Sequence, residues 1–190
     1  MSLKRTTDST LEVVTLQEAK DFLNVNYDDH NSLIDSLRKA SRKWCENYAS
    51  ISFLTQTWTL KLDHFPSEEI ELWMPPIQSV TSVKYYDQDN SFQTLDSSLY
   101  NVDINSNTAR IQHVNDDWPD TYDRVDAVEV IYVAGYSDID EVPEDIIVAV
   151  KHLIADFYEI RQNVIIGSQV NERNVTRMIL DQYKDYYAIK

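Results

Sequence analysis

Residues 142–162 constrain this chain more than any other stretch. Ile146, Ala149, Val150, Leu153, Phe157 and Ile160 recur at steps of three and four, which puts them on one face of a long helix. Pro143 suits a first helical position, where its missing N–H costs nothing, and Glu144 and Asp145 suit the positive end of the helix dipole. Ile147, Ile154 and Tyr158 widen the apolar face beyond what one partner helix covers. The segment is therefore expected to be a central post, packed on more than one side.

The period changes twice before that post. Residues 1–9 are polar and are expected to be a mobile start. Thr15 and Glu18 then have the spacing of a capping box, with Leu16, Ala19, Phe22 and Leu23 as the apolar positions of a short helix ending near Asn24. After the turn residues Asn26, Asp28, Asp29 and Asn31, a second helix is read from Leu33, Leu37, Ala40, Trp44, Tyr48 and Ile51.

From Phe53 the alternation is two, the mark of half-buried strands. Trp58, Leu60 and Leu62 alternate with Thr57, Thr59 and Lys61, and Ile70, Leu72 and Met74 alternate with Glu69, Glu71 and Trp73. Val83 and Tyr85 continue the pattern into a turn at residues 87–91. Tyr100, Val102 and Ile104 are expected to pair with residues 109–113, and residues 118–126 to be irregular. Residues 128–133 are apolar except for Glu129, as expected of an innermost strand covered on both faces. The fold class is α+β, a bundle of about four helices interrupted by an inserted antiparallel sheet. Residues 1–52 and 137–190 are read as the helical domain and 53–136 as the β insertion.

Composition excludes several functions. A net charge of -15 repels a phosphate backbone, and the two glycines, Gly135 and Gly167, cannot together build a dinucleotide fingerprint, a Walker loop or a nucleophile elbow. No apolar run approaches the roughly 20 residues of a membrane span, so no membrane partner is expected. The single Cys45 cannot form an internal disulfide, and the polar first ten residues lack a signal peptide's apolar core. Both suit synthesis in a reducing cytoplasm.

Chemistry is sparse. His30, His64, His113 and His152 have no helical zinc spacing, and the acidic clusters at Asp28 and Asp29, Asp116 and Asp117, and Asp138, Asp140 and Glu141 read as turns and caps; no metal or cofactor is expected. Asp63 beside His64 sets an acid next to an imidazole, and in a strand such neighbours face opposite ways. Cys45, inside a helix, reads as a structural thiol.

Two stretches suggest contact surfaces. Arg38, Lys39, Arg42 and Lys43 lie on and beside the outer face of the second helix, forming two i, i+4 pairs of like charge. They are either a solvated face or a docking surface for an acidic partner. Val164, Ile165 and Ile166 adjoin a chain reversal at Gly167. A last helix follows, capped by Asn171 or Asn174 and bearing Val175, Met178, Ile179, Gln182, Tyr183 and Tyr186. The three aliphatics either fold back on the core or, with Tyr183, Tyr186 and Tyr187, await another subunit.

A family resemblance rests on residues spread through the chain. These are Leu16 to Leu23 before the Asp28, Asp29, His30 turn; Leu54, Thr55, Gln56, Thr57 and Trp58; Pro75 to Val80, ending in Gln78, Ser79 and Val80; Tyr132 to Tyr136; Val142, Pro143 and Glu144; and Tyr158, Glu159 and Arg161. In that order and spacing the chain resembles the head–tail connector (adaptor) proteins of long-tailed bacteriophages and prophages, in the subgroup with a β insertion between its helices. It departs from their pattern near its end, where Asn174 stands in place of a proline and a tyrosine-rich tail in place of basic residues.

The resemblance implies a non-enzymatic virion protein at the head–tail junction. It implies a homo-oligomeric ring beneath the portal protein, joined to tail-completion proteins, with DNA passing through the lumen without sequence-specific binding. A chain that needs the portal as a template is compatible with a monomer in isolation. On that reading the candidate subunit or portal interface is Arg38, Lys39, Arg42, Lys43, Val164, Ile165, Ile166, Tyr183, Tyr186 and Tyr187. The residues alone leave two other classes open, an acid–base hydrolase with convergent carboxylates and a host-encoded protein-interaction module of the same build.

Overall fold

The structure is a computed structural model that describes residues 1–106, 108–114, 117–160 and 175–188, with side chains of the last helix described as far as 184. The chain forms two compact units, one of Met1–Ser9 and Leu54–Ser137, the other of Thr10–Phe53 and Asp138–Lys190. The class is α+β, with four α-helices and antiparallel sheets among the described residues.

The first unit contains strands β1 (Ser2–Thr7), β2 (Gln56–Leu62), β3 (Ile70–Glu71), β4 (Ile77–Tyr86), β5 (Phe92–Thr94), β6 (Tyr100–Asp103), β7 (Arg110–His113) and β8 (Val128–Ala134). Five of them form one sheet in the order β1-β2-β8-β4-β5, and three form another in the order β3-β7-β6, every pair antiparallel. Trp58, Leu60, Val83, Val128, Val130 and Tyr132 from the larger sheet share one core with Ile70, Leu72, Ala109 and Ile111 from around the smaller one.

Strand β8 is innermost, as its apolar run predicts, but only one face is sealed. Val128, Val130, Tyr132 and Ala134 are buried while Glu129, Ile131 and Val133 are half-buried, and Lys61 of β2 lies 3.7 Å from the Glu129 carboxylate on the open face. The polar start is not a mobile tail. Residues 2–7 pair along β2, Thr6 and Thr59 share a 2.6 Å hydroxyl hydrogen bond, and the Arg5 guanidinium lies 5.0 Å from the Trp58 ring centre. An edge strand can be polar, since its backbone groups rather than its side chains attach it, and Lys4 and Arg5 are the residue types that keep such an edge from further pairing.

One corner ties the large sheet together. Gly135 leaves β8 at φ +105°, and a Cβ there would collide with the Leu54 carbonyl, so only glycine fits. Its N–H donates to the Pro76 carbonyl at 2.7 Å, and its own carbonyl accepts from Gln78 Nε2 at 2.7 Å. The same Gln78 amide reaches Thr55 Oγ1 at 2.9 Å, and Thr55 Oγ1 donates to the Tyr136 carbonyl at 3.2 Å. Three scattered sequence pieces, at 54–58, 75–80 and 132–136, thus meet in one hydrogen-bonded knot.

The second unit contains α1 (Leu16–Phe22), α2 (Asn31–Ala49), α3 (Glu144–Glu159) and α4 (Val175–Ala188). The capping box at α1 is formed as its spacing predicts: the Glu18 N–H donates to Thr15 Oγ1 at 3.2 Å and the Thr15 N–H to Glu18 Oε2 at 2.7 Å. Asp28 accepts from Lys20 and Asn31 in the following turn, and Asp138 with Glu141 caps a short 3₁₀ turn before α3, so these acids are turn and cap residues.

Helix α3 is the post, in contact with α1, α2 and α4, and Ile146, Ala149, Val150, Leu153 and Ile154 are buried along it. It begins at Glu144, with Pro143 one position earlier as the cap, and it ends at Glu159, so Ile160 falls beyond it; Phe157, in its last turn, and Ile160 are exposed.

The Glu18 carboxyl lies below its ordinary value of 4.5 because Thr15 donates to it through hydroxyl and N–H, with Lys151 adding attraction. A carboxyl depressed in the fold contributes stability above its unfolded value and loses it as pH falls through the folded one. Glu18→Gln is therefore expected to lower the plateau above about pH 4.5 and to flatten the acid limb below it, the two chains converging once Glu18 is protonated; urea unfolding at stepped pH measures this.

Candidate assembly surface

Helix α2 is rotated relative to its apolar pattern. Its buried positions are Ile34, Ser41, Arg42, Cys45, Glu46 and Ala49, while Leu33 and Ala40 are exposed, a turn of about 100° from the stripe read off Leu33, Leu37, Ala40, Trp44 and Tyr48. The cause is a buried ion network. Arg42, with its side chain 1% exposed, donates through Nε to Glu12 Oε2 at 2.9 Å and through Nη1 to Glu46 Oε2 at 3.0 Å. The other Glu46 oxygen accepts the Phe53 N–H at 3.1 Å. One guanidinium thus holds the segment before α1 and the exit from α2 to the same helix.

The four candidate cations therefore separate. Arg42 lies inside, where it cannot meet a partner, which corrects its placement on or beside an outer face. Arg38 is largely covered: Nη2 meets Asp35 Oδ1 at 2.6 Å and Nη1 donates to the Val14 carbonyl at 2.9 Å. Lys39, about half exposed, meets Asp35 Oδ2 at 2.6 Å, and the Lys39 and Arg38 hydrogen bonds hold the Asp35 carboxyl below the ordinary 3.8. Lys43 is exposed. The outer face thus keeps Lys39 and Lys43. The opposite-charge pairs Asp35–Lys39 and Arg42–Glu46, both at i, i+4, were the signal in the sequence for these internal uses.

The last helix is also turned from its expected face. Thr176 and Leu180 are buried, Thr176 Oγ1 donating to the Ala149 carbonyl at 3.1 Å, whereas Val175 and Met178 are exposed. Tyr183 donates to Asp145 Oδ1 at 2.6 Å, and Tyr48 of α2 donates to Asp181 Oδ1 at 2.7 Å. Tyr183 is thus held against α3. Tyr186 and Tyr187 fall within α4, their side chains outside the described residues, as are Val164, Ile165 and Ile166 altogether.

Asp63 and His64 do not face opposite ways along a strand, because β2 ends at Leu62; both are exposed and line the same grooves. Asp63 accepts the Asp126 N–H at 3.1 Å. Cys45 is buried, and burial, with the Glu46 charge adding, pushes its thiol up to about 12, which keeps it protonated and inert at neutral pH. No group of three histidine, cysteine or acidic residues converges on a metal position among the described residues, and no helix among them is long and apolar enough to cross a membrane.

The features so far are those of two compact units, each with its own buried or hydrogen-bonded polar ties. A family profile described as "Head completion protein" matches residues 12–186. The chain belongs to the head completion protein family. A head completion protein is a structural component of the head–tail region of a virion rather than an enzyme, which explains why the few polar clusters are spent on caps, turns and ties.

Solved structures agree in fold. The chain is similar to one in the neck of an empty gene transfer agent (GTA) particle computed with C6 symmetry, at 17% identity and TM-score 0.82, covering 97% of this chain and 95% of that one. It is similar to one in the virion of the native GTA particle, at 18% identity and TM-score 0.80 with the same coverages. It is also similar to one in the neck of the native particle computed with C12 symmetry, at 18% identity and TM-score 0.78, again covering 97% and 95%. Comparison with curated proteins returns no match.

Proposed function

We propose that this head completion protein is a head–tail connector that assembles as a ring beneath the portal, joins it to tail-completion proteins and lets DNA pass through the centre. The observation that carries the reading is the family match over 12–186, joined to a fold shared along nearly the whole chain with neck components of particles computed with C6 and C12 symmetry. On this reading the helical unit, Thr10–Phe53 and Asp138–Lys190, is the connector domain, and Leu54–Ser137 is the inserted β domain, to which Met1–Ser9 adds an edge strand.

Charge supports a passive channel. A strongly basic lumen would hold DNA by releasing its counterions, whereas a chain of net charge -15 offers a wall along which DNA slides. Lys39 and Lys43, with Arg38 beside them, give an otherwise acidic chain the complementary patch that a closing head-to-tail interface needs.

The test is electron microscopy and solution mass of the chain alone and mixed with portal protein. A ring seated on the portal is expected. A chain that stays monomeric with portal present, with no added density at the vertex, overturns the proposal.

A further inference from the structure

Trp73 is 46% exposed, although the residues on either side, Leu72 and Met74, are buried. Its backbone is fixed from both sides. The buried Tyr132 hydroxyl donates to the Trp73 carbonyl at 2.8 Å, the Leu72 N–H donates to the Ala109 carbonyl at 2.8 Å, and Met74 takes a positive φ of 64° that sends the chain back inward. An indole held outward on a rigid frame is the residue type that anchors protein interfaces.

Beside it lies a groove of about 300 Å³. Buried Leu60 and Ile70 line it together with Trp73, and Asp63, Glu69 and Glu71 supply carboxylates. Arg110 reaches Glu69 at 2.9 Å, so the rim already draws a cation. Apolar lining, an aromatic face and carboxylates together suit a lysine: the stem packs on the apolar surface while the ammonium meets the ring face and the acids.

We infer that the Trp73 groove receives a second copy of this chain, through Lys39 and Lys43 on the outer face of that copy's α2. The inference rests on the ring reading and names its acceptor. A head-to-tail ring joins two different patches of one chain, and between copies of net charge -15 electrostatic attraction comes only where a cationic patch meets an acidic one.

Cysteine pairing tests it in rings assembled on portal protein. Cys45 is buried and stays silent, so the unmodified chain is the blank. Glu71→Cys chains mixed with Lys39→Cys or Lys43→Cys chains are expected to give dimers with a short bis-maleimide. Glu71→Cys alone, and Lys39→Cys mixed with Gln93→Cys on exposed β5, are expected to give none.

Glu71→Lys is expected to lower ring yield about tenfold, and adding Lys39→Glu and Lys43→Glu in the same chain to restore most of it. Intact rings without the mixed dimer, or a charge swap that restores nothing, overturn the groove assignment and leave the ring reading standing. Absence of rings for the unmodified chain overturns both.

Discussion

Arg42→Ala is expected to lower the stability of the helical unit by roughly 3–5 kcal/mol, among the largest losses available from one surface-type residue in this chain. The residue removed is 1% exposed, and its partners Glu12 and Glu46 have side chains 9% and 0% exposed, so the substitution strands two carboxylates away from water. Against a total of about 5–15 kcal/mol for an ordinary domain, much of the folded population is at stake. Urea unfolding followed by helical circular dichroism measures it.

Two companions separate the causes. Lys39→Ala removes an exposed ion pair with Asp35 and is expected to cost no more than about 1 kcal/mol. A triple replacement, Arg42→Met with Glu12→Met and Glu46→Gln, removes all three charges while keeping an acceptor for the Phe53 N–H, and is expected to recover most of the loss, since well-packed neutral groups often replace a buried ion pair without penalty. Equal effects for Arg42→Ala and Lys39→Ala would show that the network is not buried in solution.

Gly135→Ala is the second large effect, expected at roughly 2–5 kcal/mol from backbone strain and overpacking together. At φ +105° an L side chain is strained, and its Cβ meets the Leu54 carbonyl, a backbone atom that cannot swing aside as a side chain would. Relief requires moving residues 54 and 55 away from 135, which breaks the hydrogen bonds to Gln78 and the Pro76 carbonyl. Gln78→Ala removes two side-chain bonds at the same knot without forcing the backbone, and is expected to cost about 1 kcal/mol. Thermal unfolding ranks the two; a Gly135→Ala variant no worse than Gln78→Ala would contradict the geometry.

The same knot explains why residues at 54–58, 75–80 and 132–136 are informative in the sequence although each piece alone is short. They are the parts of one corner, and the only glycine among the described residues stands where a Cβ has no room. The buried network had a weaker trace, the Arg42–Glu46 spacing, which is indistinguishable in sequence from an exposed helix pair.

Local order decided a good deal by itself. The capping box at Thr15, the turns at Asp28 and Asp138 and the antiparallel pairing of residues 100–103 with 110–113 all follow from contacts between near neighbours, and spacing encodes those directly. Which face of a helix turns inward is different. It depends on what other segments bring to it: α2 buries Arg42 and Glu46 because Glu12 arrives from thirty residues away, α4 buries Thr176 because Ala149 offers a carbonyl, and polar residues 2–7 become a strand because β2 has an open edge. Hydropathy counts a buried charge as a surface residue, so only the tertiary partners could place Arg42 inside and leave Trp73 at the surface.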